Sequence, residues 1–261
     1  VTAPPLFTVR EAGSPVVVSI PHAGTYLPPD IAAALTPIGR AIPDTDWHVD
    51  RLYGFLAEMD VTVLTATHSR YVVDLNRSPA GGKLYPGQAE TGICPTETFA
   101  GAALYAGEPP DAAEIARRVA TSWQPYHDAL QGQIARLRAR HSAVRVLDAH
   151  SIHGEIPRLF AGRLPDLNLG TNDGASANPG LTAAFAATLA GHGFSHVVNG
   201  RFKGGFITRH YGRPDDGIHV MQLELAWRAY LDESRPDRFD PARAAPLIAV
   251  LRRVMDVLLR A

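Results

Sequence analysis

Residues capable of chemistry stand where short apolar runs end. His22 follows Val16-Val17-Val18-Ser19-Ile20, in Pro21-His22-Ala23-Gly24. His150 follows the run 144–149, in Asp148-Ala149-His150-Ser151. Arg70 and the pair Asn76-Arg77 flank Tyr71-Val72-Val73-Asp74-Leu75. Glu224 sits inside Gln222-Leu223-Glu224-Leu225, between apolar neighbours, where a carboxylate needs a partner or a purpose. Two imidazoles and one carboxylate are the usual protein set of a catalytic zinc, with the fourth position left to water. Each residue also has a plainer reading. A single histidine after a strand is commonly a hydrogen-bonded structural residue, and Asp-Leu-Asn-Arg could be a turn with an exposed arginine. Asp44, Thr45 and Asp46 all suit the N-cap of a following helix.

The elements that must position these residues follow from periodicity. Val16–Ile20, 61–66 and 144–149 read as buried strands, 166–171 as a weaker one, and 218–225 as a strand passing into helix at Ala226. Tyr71–Leu75 reads as a third short extended stretch. Leu52, Phe55, Leu56 and Met59 form a helical stripe over 46–59. A long amphipathic helix runs from Asp111 to about Arg140, kinked at Pro125. Asn178-Pro179 and Asp240-Pro241 open two more helices. His196–Asn199 and Phe206–His210 read as strands around Lys203-Gly204-Gly205. Residues 78–110 show no sustained period, and a loop of that length is usually functional or mobile.

Strands alternating with helices, and reading as continuous apolar runs, predict an α/β protein with a mostly parallel sheet covered on both faces. Ligands of such sheets bind beyond the carboxyl ends of the strands, where the two histidines lie. Of the 261 residues 46% are hydrophobic and 20% charged, which suits a globular core rather than disorder. Lys plus Arg is 25 and Asp plus Glu is 26, so net charge predicts neither a nucleic-acid nor a membrane-surface partner. The single cysteine, Cys94, excludes an intrachain disulfide and is expected to be structural. No membrane span or signal peptide is visible, and the expected place is the cytoplasm. Serine-hydrolase, nucleotide and dinucleotide motifs are absent.

Taken together, Ser19-Ile20-Pro21-His22-Ala23-Gly24-Thr25, Ser69–Arg77, Cys94-Pro95-Thr96-Glu97-Thr98-Phe99, Leu147–Ser151, Gly204–Gly212 and Gln222–Leu225 resemble the N-formylglutamate amidohydrolase (N-formylglutamate deformylase) family. The resemblance runs from about residue 15 to 233. It implies one catalytic domain over 1–261 that hydrolyses N-formyl-L-glutamate to formate and L-glutamate, the last step of one histidine-degradation route. It also implies kinship with zinc-dependent carboxypeptidases and aspartoacylases, whose fold is a three-layer α/β/α sandwich around a mixed, mostly parallel sheet.

Carried over by residue, the resemblance makes His22 and His150 zinc ligands. Asn76-Arg77 becomes the clamp for a substrate carboxylate, Arg70 the oxyanion arginine and Glu224 the general base toward a zinc-activated water. The relatives' acidic ligand lies three residues after the first histidine, where this chain has Thr25. Asp46 is the candidate instead, with Asp44, His48 and Asp50 as competitors. The second carboxylate of a dianionic substrate needs another cation. Arg209, with His210 beside it, is the candidate, and Lys203 the competitor. Two alternatives remain: a deacylase of another N-acyl amino acid or small peptide, and a non-catalytic binding protein on the same fold.

Overall fold

The computed structural model describes residues 2–82, 84, 87 and 89–261. Along the chain run β1 (Phe7–Arg10), β2 (Val16–Ile20), α1 (Pro29–Ala34), α2 (Pro37–Arg40), α3 (Val49–Leu52) and β3 (Thr62–Ala66). Then come α4 (Ala112–Arg118), α5 (Gln124–Arg138), β4 (Val144–Ile152), β5 (Leu167–Gly170), α6 (Pro179–Leu189) and β6 (His196–Val198). The chain closes with α7 (Phe206–Tyr211), β7 (Ile218–Ala226) and α8 (Pro241–Arg260). One seven-stranded sheet has the order β1-β3-β2-β4-β7-β5-β6. The four central strands are mutually parallel. The β1–β3 and β5–β7 pairs are antiparallel. The fold is therefore α/β with a mixed, mostly parallel sheet.

Alternate residues of each central strand enter different cores. Val16, Val18, Leu147, Met221 and Leu223 pack with α3, α6 and α8. Val17, Val144, Val146, Ile218 and Val220 pack with α5 and α7. On that second side, β4 and β7 change character toward their carboxyl ends. Two-residue periodicity carries Val144 and Val146 on to Asp148 and His150, and Ile218 and Val220 on to Gln222 and Glu224. The nine-pair ladder between these strands sets Asp148 opposite Gln222 and His150 opposite Glu224.

Several local expectations give way to tertiary bonding. Tyr71–Leu75 is a turn, not a strand: Val72 N donates to Ser69 O, and Asp74 N to Ile93 O. Phe206–His210 is helical rather than extended. Asn76 accepts from the first N–H groups of that helix, Phe206 N with its backbone oxygen and Ile207 N with its side chain. The 46–59 stripe divides at Gly54 into α3 and a 3₁₀ segment, with Leu52, Phe55 and Leu56 buried throughout. The long helix meets Pro125 with one wide π turn over Val119–Trp123 before α5. Asn178 and Asp240 cap α6 and α8 as their positions predict. Strand β1, at the half-exposed edge, and the short helices α1 and α2 carry too few periodic residues to be read from sequence. The expectation for 78–110 falls in part on Lys83, Tyr85, Pro86 and Gln88, outside the described residues. No helix among the described residues is long and apolar enough to cross a membrane.

Gly24 lies where the loop after β2 crosses the loop after β3. A Cβ there would overlap the backbone of Thr67 and His68. Those two loops carry His22 and Arg70. Gly24→Ala is expected to cost about 1–3 kcal/mol of overpacking. The melting temperature should fall by roughly 5 °C; a thermal melt matching the parent would show that the crossing tolerates a methyl group.

Candidate active site

The carboxyl ends of β2 and β4 and the loops after β2 and β3 converge on one cleft. His22, Asp46 and His150 are all buried, and one ligand atom from each lies within 4.8 Å of the others. The His22 and His150 ring centroids are 4.9 Å apart. Asp46 Oδ2 is 2.9 Å from His150 Nδ1 and 3.8 Å from His22 Nδ1. Ser151 N also donates to that oxygen, at 3.2 Å. The far ring nitrogens meet further carboxylates. His22 Nε2 lies 2.8 Å from Asp74 Oδ1, and His150 Nε2 lies 3.0 Å from Asp148 Oδ2.

This arrangement fits a divalent ion on three counts. The donor set is two imidazoles and a carboxylate. Each imidazole is oriented from behind by an acidic residue, the usual support of a metal-bound histidine. His22 Nδ1 is buried, faces Asp46 and has no hydrogen-bond partner. An orphaned buried imidazole nitrogen is costly unless something fills the space in front of it.

The same packing shifts the site's ionisable groups. Burial, helped by Arg70, lowers the His22 pKa. Burial pulls His150 the same way, yet Asp148 and Asp46 hold it well above its ordinary value. Burial would raise Asp74, but His22 and Arg70 hold it well below the carboxylate range. Burial pushes Glu224 up to about 7. Its Oε2 accepts from Gln222 Nε2 at 3.1 Å.

The competitors of Asp46 are occupied elsewhere. Asp44 Oδ2 accepts from Tyr71 OH at 2.6 Å and Phe99 N at 2.8 Å. His48 packs on Phe239, and Asp50 is exposed. Asp46 does not cap α3, which starts after His48 without a side-chain cap. Instead Asp46 N donates to His22 O, pinning the segment against the first histidine. Two non-glycine residues with left-handed backbone, Ile42 (φ 45°) and His48 (φ 61°), bracket this segment. Such strain, on a β-branched residue above all, concentrates at sites that fix a functional side chain.

Arg70 is buried, with Nη2 2.7 Å from Asp74 Oδ2 and Nη1 3.5 Å from Asp46 Oδ1. It lies over the Phe99 ring, 4.7 Å from the centroid. Asn76 lines the cleft, and its side chain is also bonded within the protein. Its Nδ2 lies 2.9 Å from Asp148 Oδ2 and 2.8 Å from His150 Nε2, and its Oδ1 takes Ile207 N. Its amide is thus committed to the frame behind His150. Arg77 is half-buried, lines the cleft and donates through Nε to Thr91 O at 2.9 Å. Arg209 and His210, on α7, do not line the cleft. Arg209 Nε donates to Gly204 O, and His210 stacks on Phe206 at the surface. Lys203 pairs with Asp173 at 2.9 Å.

Asp74, Asp148, Arg201 and Gln222 are at the site without having been singled out for a role. Asp74 and Asp148 carried a usable signal, since each is an acid between apolar neighbours, as Glu224 is. The cavity measures about 70 Å³ and is lined by all three metal-ligand candidates, Glu224 and the arginines 70, 77 and 201. At about 10–15 Å³ per water, that suits a small polar molecule.

An α/β protein whose cleft gathers three residues that could hold a metal ion is what this geometry defines. A family model of N-formylglutamate amidohydrolase matches residues 14–231. N-formylglutamate deformylase of Pseudomonas aeruginosa is 47% identical over 97% of this chain and 96% of its own. That of Pseudomonas putida is 43% identical over the same shares. The crystal structure of N-formylglutamate amidohydrolase from Ralstonia eutropha JMP134 is similar with a TM-score of 0.79 and 28% identity, covering 96% of this chain and 97% of that one. A gene product of Agrobacterium tumefaciens shares the fold, with a TM-score of 0.70 and 20% identity over 96% of this chain and 95% of its own. The chain belongs to the N-formylglutamate amidohydrolase family, hydrolases of an amide C–N bond.

Asp148→Asn should keep the ring of His150 in place while weakening its support. Metal affinity is expected to fall about 10–100-fold, measured by competition with a chromophoric chelator. An unchanged affinity would remove Asp148 from the metal site.

Proposed function

We propose that the chain hydrolyses N-formyl-L-glutamate to formate and L-glutamate. One observation carries this reading: His22, Asp46 and His150 share one buried space in the cleft that Glu224 and the arginines line. Bound there, a divalent ion, zinc by resemblance, would supply Lewis acidity toward the formyl carbonyl and toward water at neutral pH.

The protein's own residues do the rest. Glu224 is the general base. A carboxylate oxygen takes the proton of the attacking water and later returns it to the departing amine of glutamate. Burial favours the exchange, because it costs the charged carboxylate its hydration. Arg70, fixed by Asp74, presents positive charge where the tetrahedral oxyanion develops. Arg77 takes one substrate carboxylate, its guanidinium already oriented by Thr91 O. Asn76 holds His150 and the start of α7 in register, so the clamp falls to Arg77 rather than to the pair. We read residues 1–261 as one catalytic domain of the three-layer, exopeptidase-like kind. By the same resemblance the reaction ends a histidine-degradation route in the cytoplasm.

A panel of formyl, acetyl and succinyl amino acids tests the substrate, with formate release from N-formyl-L-glutamate expected to dominate. Preference for another acyl group would favour a different deacylase. Glu224→Gln is expected to lower kcat by about 10²–10⁴ while substrate still binds. Near-normal turnover would take the base role from Glu224, and no turnover by the metal-loaded parent would favour a binding protein.

A further inference from the structure

A dicarboxylate substrate needs two cationic contacts, and Arg70 is committed to Asp74 and Asp46 deep in the site. Two other arginines line the cleft, Arg77 and Arg201. They come from distant parts of the sequence yet are tied to the same short strip of chain. Arg77 Nε donates to Thr91 O at 2.9 Å, and Arg201 Nη2 to Ala89 O at 3.3 Å. Arg201 Nε donates to Leu159 O at 2.9 Å. Residues 89 and 91 are separated by at most about 7 Å of backbone, so both guanidinium groups are held on one rim. These carbonyls are among the partners that orient each planar fork, and being neutral they do not themselves offset its charge; Glu90 lines the same cleft. Glu90, between the two anchor points, accepts from Leu84 N at 3.1 Å through Oε2.

We propose that Arg77 and Arg201 form a two-arginine cradle for the two carboxylates of the substrate, with Arg201 the residue that selects an acidic side chain. This inference rests on the proposed deformylase reading and deepens it. The carboxyl carbons of a glutamate skeleton are about 5 Å apart when extended, a span that fits two forks on a rim of this size. The selected class is N-acyl amino acids with a second carboxylate, and the cation that selects them comes from the segment before Lys203 rather than from α7.

The test compares N-formyl-L-glutamate with its neutral isostere N-formyl-L-glutamine, on the metal-loaded parent, Arg201→Gln, Arg201→Lys and Arg209→Gln. Arg201→Gln is expected to lower kcat/KM for the glutamate substrate by about 10- to 100-fold, mainly through KM. The glutamine substrate should stay close to the parent value. Arg201→Lys keeps a charge but not the fork, and should fall between. It carries the test if Arg201→Gln does not fold. Equal losses on both substrates would overturn the proposal, as would a selectivity that moves with Arg209→Gln instead. Release of no formate from either substrate by the parent would defeat the deformylase reading. Calorimetric binding of glutarate would then still judge the cradle: weaker binding by Arg201→Gln upholds it, and equal binding overturns it.

Discussion

The structure turns on a surplus of buried acid. Asp46, Asp74, Asp148 and Glu224 are all below a tenth exposed, with Arg70 as the guanidinium buried among them. Desolvating carboxyl groups is expensive unless positive charge or donors come with them. Arg70 answers part of the demand by bridging Asp74 and Asp46, and the two histidines answer another part. The raised pKa of His150, won by Asp148 and Asp46 against burial, marks the direction in which the remainder pulls. A divalent ion between His22, Asp46 and His150 would satisfy this surplus, and the orphaned Nδ1 of His22 lies where its ligands meet.

Placing so much charge in one buried spot requires rigid geometry, which the sheet supplies. The β4–β7 register sets His150 beside Glu224, and the face they share is apolar lower down. Asn76 then ties the layers together. Its backbone N–H donates to Asp74, its amide nitrogen reaches Asp148 and His150, and its two oxygens receive the first N–H groups of α7. Gly205 has no side chain where Asn76 sits, because a Cβ there would overlap the amide. Asn76, which resemblance assigns to substrate, also joins the candidate metal ligands to the loop over them.

Much of this was legible in the residue order. Histidines immediately after apolar runs, and an acid flanked by leucines, point to the carboxyl ends of parallel strands, and His22, His150 and Glu224 are found there. Asp46 was harder, because an acid before a helix also suits a cap. Its backbone bond to His22 O and the strained turn at Ile42 and His48 are tertiary features. The expected strands at 71–75 and 206–210 had the right local residues. They become a turn and a helix because Ile93 and Asn76, far along the chain, satisfy their backbone groups. Arg201 is indistinguishable in sequence from its basic neighbours Lys203 and Arg209, since tertiary bonds, those to 89 and 159 among them, place it at the cleft.

The most direct measurement is X-ray absorption at the metal edge of the zinc-loaded protein. This account predicts one ion per chain with a first shell of nitrogen and oxygen at about 2.0–2.2 Å and outer-shell scattering from two imidazoles. A shell lacking imidazole scattering, or failure to take up any divalent ion, would contradict it.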